Sequence, residues 1–317
     1  MPIWALLSVA AGALLAVQAR MNGELATVSG RGLDAALWSF GSGLVVLGLL
    51  LLVSPSMRRG VRTLRQGLRD GQLRLWQCIG GFLGGLYVFS QAYAVSLVGV
   101  ALFTIAVVGA QTVGGLVVDR AGIGPAGVVP VSWGRVGSAL LAVVGVVVAV
   151  GDRVNGDGST VVLPIVLAVV AGLLITVQQG LNGRVTVTAG SPMTATWLNF
   201  ALGTLLLVVL AAPAAAVGQF GPPVRLDAPW WAWFGGLLGI VVVAFSTAAV
   251  RHLGVLLVLL CMLAGQLVAS VTLDAVDVRT RSHITPVVLV GLLVTVAAAA
   301  LAGYASARAT RRPVIRT

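Results

Sequence analysis

Ten apolar runs, each close to the ~20 residues that a helix needs to cross a bilayer, leave this chain only one solvent in which it can fold. They cover roughly residues 3–21, 33–54, 75–95, 99–118, 131–150, 161–181, 193–216, 230–250, 254–273 and 285–304. Only 9% of the 317 residues are charged, while 58% are apolar. A soluble domain is about 25% charged, so a water-facing surface cannot be made from this stock. The expected fold class is an all-α integral membrane protein. The first run resembles a secretory signal, but it lacks a basic leader and recurs at 165–183, where a signal cannot act.

All 20 basic residues are arginine, and the net charge is +11. Their positions explain the excess without a nucleic-acid partner. Arg58, Arg59, Arg62, Arg65, Arg69 and Arg74 crowd the loop after the second run, which places that loop in the cytoplasm by the positive-inside tendency. Alternation then puts fourteen arginines inside and six outside, with both termini cytoplasmic. Arg58, Arg62, Arg65 and Arg69 recur at helical spacing with Val61, Leu64 and Leu68 off that face, which predicts a short amphipathic helix on the anionic inner leaflet. Trp4, Trp76, Trp133 and the Trp230, Trp231, Trp233 group sit at run ends, where aromatic belts form.

The chain repeats itself. At an offset of 160, residues 12–43 match 172–203 without a gap, with ten of 32 positions identical, among them Gln18/Gln178, Asn22/Asn182, Phe40/Phe200 and Gly43/Gly203. At an offset of 155, residues 80–119 match 235–274 with 13 of 40 identical, including Gly80/Gly235, Gly84/Gly239, Gly99/Gly254, Gln111/Gln266 and Asp119/Asp274. The expected organisation is a first five-helix repeat at 1–150, a linker at 151–160, a second repeat at 161–306 and a basic cytoplasmic tail at 307–317. Five is odd, so the second repeat is expected to enter the membrane inverted. Inverted repeats are a frequent architecture of secondary transporters, in which two halves exchange conformations around a site between them.

The pattern Gly172…Val177-Gln178…Asn182-Gly183…Gly190-Ser191-Pro192…Ala195…Asn199-Phe200…Gly203, met more loosely in the first half, resembles the YdcZ-like branch of the drug/metabolite transporter superfamily. Members occur as single five-helix units or fused pairs, and this chain resembles a fused pair. The resemblance implies ten helices in two inverted halves. It further implies that helices one, three, four, six, eight and nine line a central cavity, with five and ten outside it. Small multidrug members use a glutamate within helix one; here that helix has Gln18, and Glu24 comes later.

Gln18 and Asn22 stand four apart and share a helix face, as do Gln178 and Asn182. Neutral amides can bind a polar solute without the cost of a buried charge, and they can equally hold helices together. Gln111 and Gln266 hold equivalent places in the fourth and ninth runs. These six residues are the expected solute-binding set, facing one cavity. No carboxylate sits at the centre of a run, so proton coupling falls to Asp119 and Asp274, which the repeat keeps; helix capping or pairing with arginine is their plainer role. Gly80, Gly81, Gly84 and Gly85, with Gly235, Gly236 and Gly239, form smooth ridges for close helix approach.

Other classes find little support. The chain has no lysine for a P-loop, no His-Glu-x-x-His and only two histidines, so neither nucleotide hydrolysis nor an enzyme is expected. Cys78 and Cys261 lie inside apolar runs and suggest neither a disulfide nor a metal site. No cofactor is expected. The expected function is a secondary transporter in the bacterial inner membrane that moves a small solute, outward, by alternating access. The alternatives are a passive channel or facilitator and a lipid or lipid-linked flippase. The fused pair is expected to work as a monomer or as a homodimer.

Overall fold

The computed structural model describes residues 2–157, 160–216, 227–253 and 255–310. Its helices are α1 (Pro2–Ser29), α2 (Gly32–Val53), α3 (Pro55–Arg69), α4 (Gly80–Arg120), α5 (Trp133–Asp157), α6 (Val162–Ala189), α7 (Pro192–Ala216), α8 (Gly235–Leu253), α9 (Val255–Val276) and α10 (Pro286–Thr310). No strand occurs among the described residues. Seven helical stretches are long and apolar enough to cross a bilayer, the longest of them Leu75–Arg120, and Trp230–Val243 and Leu260–Val276 are shorter apolar helices. Large apolar side chains cover the outside, among them Leu52, Val147, Leu205 and Leu293. That inverts the pattern of a water-soluble protein and suits a hydrocarbon solvent.

The third and fourth apolar runs form one helical element with a break. At Gly99 the backbone turns to φ 84° and ψ 171°, and regular helix resumes on both sides. An L side chain rarely takes this φ, and a β-carbon there would also sit 2.7 Å from Asp274 Oδ2. The second limb is the core of the molecule: every residue from Val98 through Ala110 is buried. Phe103, Ala106 and Val107 pack with Ala16 and Ala19 of α1 and Ala168 and Ala171 of α6.

Small residues let the two repeats interlock reciprocally. Gly12 of α1 abuts the Met262 backbone of α9, and Gly172 of α6 abuts the equivalent Val107 of α4. Phe40 and Phe200, which are repeat-mates, stack at 4.8 Å between centroids. Gly43 closes against Phe200 just as Gly203 closes against Phe40. Gly145 of α5 and Gly291 of α10 meet backbone to backbone, each leaving no room for a β-carbon on the other.

α3 is the expected amphipathic helix. Ser54 caps it by accepting from the Met57 amide at 3.3 Å, and Pro55 occupies its first turn. Arg58, Arg59, Arg62, Arg65 and Arg69 are exposed, while Met57, Gly60, Leu64 and Gly67 are buried. Gly60 admits Thr194 of α7, whose hydroxyl donates to the Met57 carbonyl at 3.2 Å.

Candidate functional site

A cavity of about 400 Å³ opens between the two repeats, within the size range of small-molecule sites. Leu15 of α1, Val108 to Asp119 of α4, Thr176, Gln179 and Gly180 of α6, Leu260 to Gln266 of α9 and Ala299 to Gly303 of α10 contribute to its wall. The loop at Gly124–Gly127, with Arg135 and Ser138 of α5, bounds one end. Gln111 and Gln266 both line it, so one equivalent amide from each half reaches the same space.

The other four expected amides lie elsewhere, in the seams between helices. Gln18, Asn22 and Gln178 are buried and Asn182 is half-buried, and all four face the glycine ridges of the opposite repeat. A β-carbon at Gly235 would lie 2.5 Å from Asn22 Oδ1, and one at Gly80 would lie 2.5 Å from Asn182 Oδ1. Gly239 faces Gln18 and Gly84 faces Gln178 in the same way. Asn22 Nδ2 donates to Gln91 Oε1 at 2.8 Å, and Gln91 Nε2 donates to Tyr87 Oη at 3.3 Å. In the second repeat Asn199 Oδ1 accepts from Gln178 Nε2 at 2.7 Å and from Asn182 Nδ2 at 3.0 Å. Gln178 Oε1 is buried without a partner among the described residues.

The two repeat-matched aspartates differ. Asp274 is 1% exposed, and its carboxylate accepts from the amides of Val100 at 3.0 Å and Ala101 at 2.7 Å. It thereby caps the second limb of α4, supplying acceptors for amides that the break at Gly99 leaves without helical partners. Asp119 instead lines the cavity with a side chain 39% exposed, and its Oδ2 pairs with Arg135 Nη2. Arg135 is 7% exposed, and its Nη1 has no partner among the described residues.

Charges join helix ends at two places. Arg20 and Glu24, near the end of α1, meet Asp277 and Arg279, just past α9. Arg279 Nη2 donates to Glu24 Oε2 at 2.6 Å, Arg20 pairs with Asp277, and Arg20 and Glu24 pair with each other at 3.3 Å. Hydrogen bonds to Glu24 and then Asp277 raise the Arg279 pKa above its ordinary value. Burial alone would push the Asp277 carboxyl up. The hydrogen bonds from the Arg279 amide and guanidinium and the charges of Arg20 and Arg279 outweigh it and hold the group below the usual range. At the equivalent place in the other repeat, Arg184 donates to the carbonyls of Ile123 and Gly122, both at 2.6 Å.

Two further features depart from the expectation. α5 and α10 reach the cavity through Arg135, Ser138, Ala299 and Gly303, rather than lying outside it. Arg135 is drawn in by Asp119, sixteen positions earlier. Gln179 and Thr176 also line the cavity. With Gly180 they form an i, i+3, i+4 stripe that turns away from the Gln178 and Asn182 face, and that spacing was the available signal.

The family model described as "Putative inner membrane exporter, YdcZ" matches residues 3–148 and again 163–301. The chain is 29% identical over 124 residues to "Inner membrane protein YdcZ" of Escherichia coli (strain K12). That stretch is 39% of this chain and 80% of the relative, which is therefore about half as long. A crystal structure matches over 96% of this chain and 97% of its own, with a TM-score of 0.55 and 20% identity; this likeness concerns the fold alone.

Proposed function

The chain belongs to the YdcZ family of the bacterial inner membrane, and from that premise we propose that it is a carrier that exports a small solute by alternating access. The observation that carries this reading is the cavity between the repeats, lined by the repeat-mates Gln111 and Gln266.

Ten crossings follow if α4 is counted as two limbs, the two shorter apolar helices are included and α3 lies along the surface. An inverted arrangement has direct support in the contacts. α1 ends beside the end of α9, and α6 ends beside the end of α4. The start of the second α4 limb, however, meets the end of α9 through Asp274. α1 and α6, equivalent in sequence, therefore finish at opposite faces. The arginine bias assigns the Asp119 end, with the loop at 124–127, to the cytoplasm, and both termini with it.

On this orientation the described state faces inward. The cavity reaches the cytoplasmic loops, while buried Phe103, Val100, Ala16 and Ala19 and the charges at Arg20, Glu24, Asp277 and Arg279 close the far end. Gln111 and Gln266 hold the solute by neutral hydrogen bonds. Gln18, Asn22, Gln178 and Asn182 stay in the seams, where smooth glycine ridges let one repeat rock on the other. Asp119 is the carboxylate that reaches the cavity; Asp274 does not, because both its oxygens hold backbone amides. One chain supplies both halves and works as a monomer.

The test is paired cysteine accessibility in oriented vesicles, with single cysteines at Ala126 and at Thr27 on a background lacking Cys78 and Cys261. Alternating access requires that solute lower labelling at one position while raising it at the other. Simultaneous labelling of both would identify a channel. Gln111→Leu with Gln266→Leu should abolish the solute response while the protein still folds.

A further inference from the structure

We propose that the solute is a small zwitterion, its carboxylate held by Arg135 and its ammonium by Asp119. This rests on the cavity being the solute site. The pair at the cavity mouth is neutral as a whole but strongly dipolar, with one buried cation and one half-buried anion. In a site bounded by lipid and apolar helices, a net charge is costly. A solute of either single sign would add one. A molecule that carries both signs adds none and aligns against the pair.

The free valences match. The guanidinium has five donors in a fixed fork. Nη2 is engaged with Asp119 Oδ2, and Nη1 is buried without a partner among the described residues. A buried donor without an acceptor has lost its water and gained nothing in return. Arg135 lines the cavity, and a small turn of its guanidinium brings that donor to a solute carboxylate oxygen, which supplies the acceptor. Asp119 Oδ1 has no hydrogen bond among the described residues, and the side chain keeps an exposed edge on the cavity. It can accept from an ammonium one carbon away from that carboxylate. Deeper in, Val108, Leu260 and Leu263 give an apolar wall, with the Gln111 and Gln266 amides beside it. An amino-acid-like molecule with a medium-sized side chain satisfies each of these elements.

The experiment compares matched probes by thermal unfolding of the full chain in lipid nanodiscs. L-leucine is set against isoamylamine, which lacks the carboxylate, and isocaproate, which lacks the ammonium. L-phenylalanine is set against phenethylamine and hydrocinnamate in the same way. The amino acid of at least one series should stabilise the protein, with both its half-charged analogues weaker. Arg135→Gln and Asp119→Asn should each weaken binding more than about tenfold. Asp119→Asn carries the test should Arg135→Gln fail to fold, since Asp119 is the more exposed partner. An amine or acid that binds as tightly as its parent overturns the proposal, as does unchanged binding in the charge variants or no response to either amino acid. Counterflow of the bound amino acid in proteoliposomes separates the two readings. Binding without counterflow refutes the carrier and leaves the zwitterion site standing. Counterflow unaffected by the charge variants does the reverse.

Discussion

The two repeats close the same contact with different chemistry. Where the first helix of a half finishes, it grips the loop that follows the fourth helix of the other half. At the end of α1 the grip is a four-charge network, and at the end of α6 it is one arginine on two carbonyls. The aspartates divide in the same way: Asp274 is spent on backbone amides, and Asp119 pairs with Arg135 at the cavity. Duplication kept the geometry and let the ends specialise. The α1 contact joins charges on both sides, which salt and acid can loosen; the α6 contact joins a charge to neutral carbonyls, which acid leaves in place.

The largest predicted effect bears on the aspartates. Asp274→Ala removes two charge-assisted bonds from buried amides and should cost about 3 kcal/mol, read as a fall in unfolding temperature. Asp119→Ala should cost less: it takes the carboxylate partner from the buried Arg135, but Asp119 is 39% exposed and the guanidinium it leaves lines a cavity that water can reach. Equal losses would end the distinction between them.

Next come the helix ends. Arg279→Gln should cost about 1 kcal/mol, since Arg279 is largely exposed, and the loss should shrink in high salt as the network is screened. The Asp277 carboxyl titrates below its unfolded value, so its contribution is present above the unfolded pKa and disappears as pH falls through the folded one. Acid should therefore raise hydrogen exchange at 274–281 before it does so at 120–127. Simultaneous loosening of both ends would show that the ends do not differ as described.

The smallest effect concerns the amide seams. Asn199→Ala breaks two amide bonds of 2.7 and 3.0 Å, and Gln91→Ala breaks one of 2.8 Å with Asn22 and a longer one of 3.3 Å to Tyr87. At ~0.6 kcal/mol per bond in membranes, each should cost about 1 kcal/mol in a chemical unfolding series, the first slightly more because both its bonds are short. A reversed order would mean that Tyr87, held by Gln91, matters more than the asparagine bonds.

Much of the fold was legible because its causes are local. Apolar runs near twenty residues, arginine-rich loops and repeat-matched glycines are all properties of the string, and so was the amphipathic face of α3. The site was legible only in part. Gln18 and Asn22 do share a face, but which neighbour covers that face depends on how close two helices approach. Gly235 and Gly239 draw α8 in until the amides become a packing seam. Gln111 and Gln266 escape this and reach open space. The pairing of Asp119 with Arg135 depends on how the loop between α4 and α5 folds back, which periodicity does not encode.

The stacked pair Phe40 and Phe200 has a consequence for descent. A residue that touches its own repeat-mate makes a contact that two identical half-length chains would form unaltered. The ring pair therefore marks the part of the interface that needed no invention when two copies became one polypeptide. A larger side chain at either position would press on its mate and on the glycine beside it, Gly203 for Phe40 and Gly43 for Phe200. Residues away from that axis, such as Glu24 and Arg184, were released from self-complementarity and could take opposite charge.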